Sequence, residues 1–145
     1  MKPITIEYAL RTAWQSVTNM YNDKASAYNS TMSMGFTLLS IDAEGTPSTA
    51  LGPKMGIEST SLSRILNSLE KRGYIKRKPN PNDGRGVLIF LTKKGKEKRD
   101  ISKKTVIEFN NSIIKNMNSK KMKHFFEVID YIKKTVEQKE LINTK

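Results

Sequence analysis

The chain has 145 residues, of which 37% are hydrophobic and 28% charged, and its formal net charge is +12. This length and balance predict a folded protein with a core of its own rather than a disordered chain. The charge excess favours a polyanionic partner, nucleic acid before an anionic membrane surface. Lysines that serve only to keep a small protein in solution would give the same net charge. The absence of cysteine excludes disulfides, thiolate metal sites and cysteine nucleophiles.

No apolar run approaches the roughly 20 residues that a membrane span requires, and the first residues lack a signal-peptide pattern. We therefore expect a cytoplasmic protein that does not contact membranes. The single histidine, His124, is followed by two phenylalanines, and a histidine in such a setting is more often a helix-surface or packing residue than a metal ligand. We therefore expect no metal and no cofactor. No nucleophile–base pair or phosphate-cradling glycine loop indicates an enzyme.

The first half of the chain predicts a series of helices. Apolar residues recur at steps of three and four from Ile6 to Tyr21, the pattern of an amphipathic helix. A second apolar stretch, Met32 to Ile41, predicts a helix with Gly45 as its C-terminal cap. Thr46 and Pro47 match the N-cap and first position of a third helix, which Gly56 would end.

A fourth helix is predicted from about Ser59 to Lys71, ending before Gly73, and it has two chemically different sides. One side is apolar and is expected to be buried: Leu62, Ile65, Leu66 and Leu69. The other side offers small hydroxyls, an amide and a guanidinium: Ser59, Thr60, Ser61, Ser63, Arg64, Asn67 and Ser68.

After Gly73 the residue pattern changes from helical to extended. Tyr74–Lys78 and Val87–Leu91 predict two strands, and the turn-forming residues Pro79–Gly86 predict a protruding hairpin tip between them. Arg85 stands out on this tip, because it lies between two glycines and projects with little steric cover.

Two more helices are predicted to follow the hairpin. Thr92 is the expected N-cap of a long helix whose apolar stripe runs from Val106 to Met117. A polar break at Asn118-Ser119 precedes a last helix, and the polar tail Gln138–Lys145 is expected to fray.

Two short helices around Gly56, followed by a hairpin, form the layout of a winged helix-turn-helix. The polar side of the fourth helix suits the major groove, since arginine can bond bidentately to guanine and asparagine to adenine. Arg85 suits a narrow minor groove, whose negative potential attracts arginine. We expect phosphate contacts from four cations around these elements: Lys54, Arg72, Arg77 and Lys78. A basic RNA-binding module and a winged helix that contacts only proteins are the alternatives.

The segment from Leu51 to Gly95 resembles the MarR family of bacterial regulators. The most specific part is the wing signature, in which Asp83-Gly84-Arg85 precedes Leu91-Thr92-Lys93-Lys94-Gly95. The resemblance implies a mainly α fold with a small β-hairpin wing, and a repressor that binds double-stranded DNA at a pseudo-palindrome. It implies a DNA-binding wing formed by Asp83, Gly84, Arg85 and Gly86. In this wing Arg85 enters the minor groove, while Asp83 positions Arg85 or pairs with Arg77. Glu58 departs from the family, which often has a hydroxyl residue there, and would either cap the helix or repel a phosphate.

The resemblance also implies a homodimer, with dimerisation helices in residues 1–30 and 100–145 flanking a DNA-binding lobe at 31–99. The helices Ile6–Tyr21 and Lys103–Gln138 would intertwine; the alternative is that their apolar stripes pack within one monomer. Many family members release DNA on binding a small aromatic or anionic effector in a cleft. Four aromatic residues could line such a cleft or belong to an ordinary core: Tyr8, Trp14, Tyr28 and Phe36. The absence of cysteine counts against the peroxide-sensing branch.

Overall fold

The computed structural model describes residues 2–138, which form two compact units, one up to Lys103 and one from Lys104 onward. Its elements are α1 (Ile6–Ser26), α2 (Met32–Ser40), β1 (Thr46–Pro47), α3 (Ser48–Met55), α4 (Ser59–Lys71), β2 (Ile75–Asn80), β3 (Asp83–Leu91), α5 (Lys93–Lys115) and α6 (Ser119–Glu137). Among these described helices, none combines the length and the apolar character needed to cross a bilayer. The mainly helical fold with a small wing is the one predicted.

The core of the first unit lies where α2, α3 and α4 meet the sheet. It is built from ten buried apolar residues: Met34, Leu38, Ile41, Leu51, Leu62, Leu66, Leu69, Ile75, Ile89 and Leu91. Three of them come from the predicted buried side of α4, and Ile65 packs against the cluster while partly buried. Each buried leucine stabilises the fold by about 1.5–3 kcal/mol relative to an exposed one. The prediction for this face of α4 is confirmed.

The sheet has a third strand that the sequence did not indicate. Its strand order is β1-β3-β2, all antiparallel, and Thr46 of β1 pairs with Ile89 of β3. The prediction that Thr46 caps the third helix is wrong. Its hydroxyl accepts a hydrogen bond from the Asp42 N–H at 2.8 Å, and the helix begins at Ser48 with Pro47 as its N-cap. A two-residue strand is too short to show a period.

Gly45 is not the cap of α2, in contrast to the prediction. The helix ends at Ser40, followed by Ile41 in an extended conformation. Gly45, with φ of 96°, instead closes a tight turn by donating its N–H to the Asp42 carbonyl at 3.0 Å. This turn, not the helix end, requires the left-handed backbone that glycine adopts readily, and it delivers the chain to β1.

The hairpin is longer and its tip shorter than predicted. Only Pro81 and Asn82 lie outside the two strands, since Asn80 pairs with Asp83. The preceding residue of β2, Pro79, pairs with Val87 of β3. One step along β2 thus corresponds to four along β3, and the residues between Asp83 and Val87 form a bulge. Pro79 lies on an edge strand and beside this bulge, the two positions at which a sheet tolerates proline.

A compact junction joins the end of α4 to the start of α5. Gly73, with φ of 79°, ends α4, and the Tyr74 N–H returns to the Leu69 carbonyl at 2.9 Å. Thr92 accepts the Gly95 N–H at 3.0 Å, as the predicted N-cap should, and donates its hydroxyl to the Gly73 carbonyl at 2.6 Å. Gly95 is buried directly beneath the Tyr74 carbonyl. The junction explains why threonine and glycine stand three residues apart.

The terminal helices expose apolar side chains. The first helix begins after Thr5, which caps it, and continues to Ser26, five residues beyond the predicted Tyr21. Its exposed apolar residues are Ile6, Tyr8, Leu10 and Trp14. In the second unit, Asn118 caps α6 at the predicted break, and His124 lies on its surface beside Glu127. The exposed apolar residues of α6 are Phe125, Phe126, Val128, Tyr131 and Val136. Residues 139–145 of the predicted frayed tail lie outside the described range.

We predict that Gly95→Ala destabilises the protein, because the new Cβ would lie 1.8 Å from the Tyr74 carbonyl oxygen. Relief of that overlap must move backbone, and overpacking of this kind costs about 1–3 kcal/mol. The free energy of unfolding should be measured by urea titration at one fixed protein concentration.

Gly84→Ala is the matched control, because nothing lies within 4 Å of a Cβ built there. It should change the unfolding free energy by less than about 0.5 kcal/mol. A Gly95→Ala protein as stable as the parent would mean that α5 does not approach Tyr74 as closely as described.

Candidate nucleic-acid interface

The turn between α3 and α4 sets the orientation of α4. Gly56 ends α3 as predicted, in the left-handed conformation with φ of 67°, and the Ile57 N–H bonds to the Gly52 carbonyl at 3.1 Å. Glu58 is the N-cap residue of α4, but its carboxylate makes no capping hydrogen bond. The exposed Glu58 side chain therefore leaves the first turn of α4 with open N–H groups and places a negative charge beside them.

One face of α4 is exposed along its whole length and is entirely polar. The six predicted base-contacting or phosphate-contacting residues all lie on it and are all exposed: Ser59, Thr60, Ser61, Ser63, Arg64 and Asn67. Ser68 is half-buried and lies at the edge of this face. The structure therefore brings the predicted set together on one side of one helix, opposite the leucines that anchor it.

Asn67 is tied to the wing through Arg77. The Arg77 Nη2 donates to the Asn67 Oδ1 at 2.8 Å, and the Arg77 Nε lies 3.7 Å from the Glu70 carboxylate. Asn67 and Glu70 stand three residues apart on α4, so one arginine from β2 bonds to neighbouring positions of the helix. The sequence predicts Asn67 and Arg77 as separate DNA contacts and indicates no role for Glu70.

The wing presents Arg85 on the bulge of β3. Gly84 and Arg85 are exposed and Gly86 is half-buried. The Asp83 carboxylate accepts the Arg85 backbone N–H at 3.1 Å, and a Cβ at Gly86 would lie 2.8 Å from that carboxylate. The Asp83 carboxylate therefore stabilises the bulge by a hydrogen bond to its backbone, and it occupies the space that a side chain at residue 86 would need. Arg77 makes its described contacts with α4, not with Asp83.

The four predicted phosphate-binding cations each have a protein contact. Lys54 donates to the Ser40 carbonyl at 2.8 Å and lies 3.7 Å from Asp42. Arg72 donates to the Asn29 carbonyl, and the Lys78 ammonium lies 5.3 Å from the centre of the Phe90 ring. Two of the four cations, Lys54 and Arg77, thus face carboxylates at 3.7 Å. The partners of the other two, a carbonyl for Arg72 and a ring for Lys78, leave the positive charge unneutralised.

An open cavity of about 820 Å³ lies in the first unit, lined by Ser26, Tyr28, Asn29, Ser30, Arg72, Tyr74, Lys94 and Lys98. Three of these described lining residues are cationic and none is acidic. The Lys94 ammonium lies 5.3 Å from the Tyr74 ring centre, and that of Lys98 lies 5.7 Å from Tyr28 and 5.9 Å from Tyr74. The cavity combines aromatic surface with unneutralised positive charge, which suits an aromatic anion.

Sequence reasoning found one member of this cavity, Tyr28, among its four candidate aromatics. Phe36 instead packs edge-on against Tyr21, with ring centres 5.5 Å apart, while Tyr8 and Trp14 lie exposed on α1. The lysines Lys94 and Lys98 are spaced by four residues at the start of a helix, which places them on one face. That spacing was the signal available in the sequence.

Comparison with known proteins places this chain in a family. The MarR family profile matches residues 31–87. The chain is 31% identical over 101 residues to the HTH-type transcriptional regulator SarZ of Staphylococcus epidermidis, covering 66% of this chain and 68% of SarZ. It is 37% identical over 75 residues to the transcriptional repressor MprA of Escherichia coli, covering 51% of this chain. The matched region spans less than half of MprA (43%) and of the Bacillus subtilis regulator YdgJ (48%).

Solved structures share the fold. The S. aureus MepR–DNA complex superposes with a TM-score of 0.84 at 16% identity, covering 92% of this chain and 99% of that one. A mutant MarR from E. coli, complexed with operator DNA, superposes with a TM-score of 0.77 at 22% identity, covering 88% and 92% of the two chains. The profile match, the similarity to SarZ and the winged-helix architecture agree, and the chain belongs to the MarR family.

Proposed function

We propose that this protein is a transcriptional regulator that binds duplex DNA, inserting α4 into the major groove and the β3 bulge into the minor groove. The observation that carries the proposal is the division of α4 into a buried leucine face and a fully exposed polar face. A helix anchored in this way fits a groove about 12 Å wide while presenting donors and acceptors to base edges. Relatives named as regulators and repressors support the same function.

The polar residues of α4 divide into two roles in this proposal. Arg64 and Asn67 have the donors needed for base edges, whereas Ser59, Thr60 and Ser61 lie in the first turn, where hydroxyls and backbone N–H groups suit a phosphate. Arg85 enters the minor groove, and Lys54, Arg72, Arg77 and Lys78 follow the backbone. No catalytic role is proposed for any residue. We infer that the protein acts on chromosomal DNA in the cytoplasm.

We predict preferential binding to duplex DNA from upstream of the protein's own gene over a scrambled duplex, by several hundredfold. The affinity should fall steeply as salt rises, because each neutralised phosphate releases counterions. Arg85→Ala should lose between about fivefold and a hundredfold in affinity, since a specific arginine contact is worth about 1–3 kcal/mol. Fluorescence anisotropy at several salt concentrations measures all three.

Lys120→Ala, which removes one positive charge from α6, is the matched control and should change affinity little. Equal losses in the two variants would mean that net charge, not the wing, governs binding. A winged helix that contacts only proteins would bind neither duplex at low salt.

The exposed apolar residues of α1 and α6 support a homodimer. On α6, Phe125, Phe126 and Tyr131 are 52%, 56% and 70% exposed. Rings exposed to this extent are typical of an interface that a partner covers. We propose that residues 1–30 and 100–145 form the dimer interface and that residues 31–99 form the DNA-binding lobe. A two-fold axis would then place two α4 helices in successive major grooves of a pseudo-palindrome, where occupancy of a promoter represses transcription.

Analytical ultracentrifugation at micromolar concentration should give twice the chain mass of 16.5 kDa. Phe126→Glu should shift the protein towards the monomer while leaving its helix content unchanged, because the charge would be buried at the interface. Thr49→Glu, at an exposed polar position of α3 outside the proposed interface, adds the same charge and should leave the dimer intact. A monomer in the unmodified protein would contradict the interface.

We further propose that the cavity around Tyr28 and Tyr74 binds a small aromatic or anionic effector. Arg72 lines this cavity and is also one of the proposed phosphate contacts. An anion held there competes for the same guanidinium, so its binding and DNA binding oppose each other. By linkage, an effector that weakens DNA binding must itself bind less tightly to the DNA complex.

We predict that benzoate, used as a probe of this chemistry, weakens DNA binding more than acetate does at equal ionic strength. Lys98→Met should abolish the difference, because the ammonium between the two tyrosine rings is lost. Lys96→Met, an exposed lysine of the same helix that does not line the cavity, should retain it. Equal effects of benzoate and acetate on the parent protein would contradict this role for the cavity.

A further inference from the structure

The carboxamide of Asn67 is held by a cation from another element. Its Oδ1 accepts a hydrogen bond of 2.8 Å from the Arg77 Nη2, and the Arg77 Nε lies 3.7 Å from the Glu70 Oε2. The guanidinium can only donate, so the oxygen of the carboxamide must face it. The Asn67 amide NH2 group, with its two donors, is left for contacts outside the protein.

This arrangement alters which base the Asn67 carboxamide can bind in the major groove. An asparagine that reads adenine donates to N7 and accepts from the N6 amine, so it needs both ends of its carboxamide. Here the remaining lone pair of Oδ1 lies beside a guanidinium, and an adenine amine approaching it would bring a donor towards a cation. A hydrogen bond to the oxygen also polarises the amide and strengthens the amine as a donor. Guanine, whose major-groove edge carries only the N7 and O6 acceptors, meets no such conflict.

The contacts of Arg77 with Asn67 and Glu70 also connect α4 to the wing. Arg77 lies on β2, so its bonds to Asn67 and Glu70 connect the strand to the exposed side of α4. A planar guanidinium held at two points loses less freedom on binding than a free one. Asn67 is therefore oriented before DNA arrives, which lowers the ordering cost of the contact.

We propose that Arg77 sets the base preference of Asn67, making this asparagine a reader of guanine rather than adenine. The inference rests on the proposed function, since it assumes that α4 contacts base edges. Arg77 acts here as a positioning residue through Asn67.

Selection of duplexes from a pool with randomised positions tests the proposal. The position read by Asn67 is the one whose preference disappears in Asn67→Ala. At that position the unmodified protein should enrich guanine. Arg77→Met keeps the length of the side chain but removes the donors, and it should shift the preference towards adenine by between about fivefold and a hundredfold, the range for one bidentate contact. The double variant, Asn67→Ala with Arg77→Met, should show no base preference at that position.

Lys78→Met is the matched control, because it removes one positive charge from the adjacent residue of the same strand. It should lower affinity for all duplexes without changing the preferred base. Circular dichroism establishes that each variant is folded.

Three outcomes would overturn the inference alone while specific DNA binding persists. They are enrichment of adenine by the unmodified protein, an unchanged preference in folded Arg77→Met, and no position lost in Asn67→Ala. The first and third need no Arg77 variant. Failure of the unmodified protein to enrich any duplex would instead overturn the proposed function, and this inference with it.

Discussion

The arrangement of the first unit depends on the burial of one side of α4. Leu62, Leu66 and Leu69 are at most 6% exposed and lie in a core shared with α2, α3 and both long strands. A helix with its leucines held in this way cannot rotate about its axis without exposing them, at a cost of about 1.5–3 kcal/mol for each. The opposite face is consequently held outward, and its polar residues are presented as a set.

The junction at Thr92 transmits this constraint to the hairpin and to α5. Its hydroxyl and backbone hold the Gly73 and Tyr74 carbonyls at the end of α4, while Gly95 allows α5 to start against the same peptide. The cavity lies beside this junction, since Arg72 and Tyr74 follow directly after α4, and the lining residues Lys94 and Lys98 lie in the first turns of α5. A ligand in the cavity would thus contact the segment that holds α4 in place.

The cations near α4 are positioned chiefly by groups that do not cancel their charge. Arg72 and Lys54 bond to backbone carbonyls, while Lys78, Lys94 and Lys98 lie over aromatic rings. Carboxylates at 3.7 Å from Lys54 and Arg77 are the exceptions in this set. Fixing a cation through a carbonyl or a ring restricts its motion yet preserves its field, which benefits the binding of a polyanion. Arg77 differs because its carboxylate and amide partners both belong to α4.

The sequence alone determined the elements that repeat a local pattern. The leucine spacing of α4, the glycine after α3 and the threonine before α5 can each be recognised from residues a few positions apart, and the structure confirms them. The wing signature likewise identified the family, because its aspartate, arginine, threonine and glycine serve a hairpin and a cap that are close in sequence. The terminal helices were located within a few residues at their described ends.

Only the tertiary structure decided the features that depend on distant partners. Thr46 has the local character of a helix cap, yet pairing with Ile89, far along the chain, draws it into the sheet. Arg77 meets Asn67 because β2 returns beside α4, and the cavity gathers residues from Ser26 to Lys98. No periodicity encodes such meetings, since they follow from how the packed elements fold back on one another. The chemistry of Asn67 was readable from the sequence, but the neighbour that directs it was not.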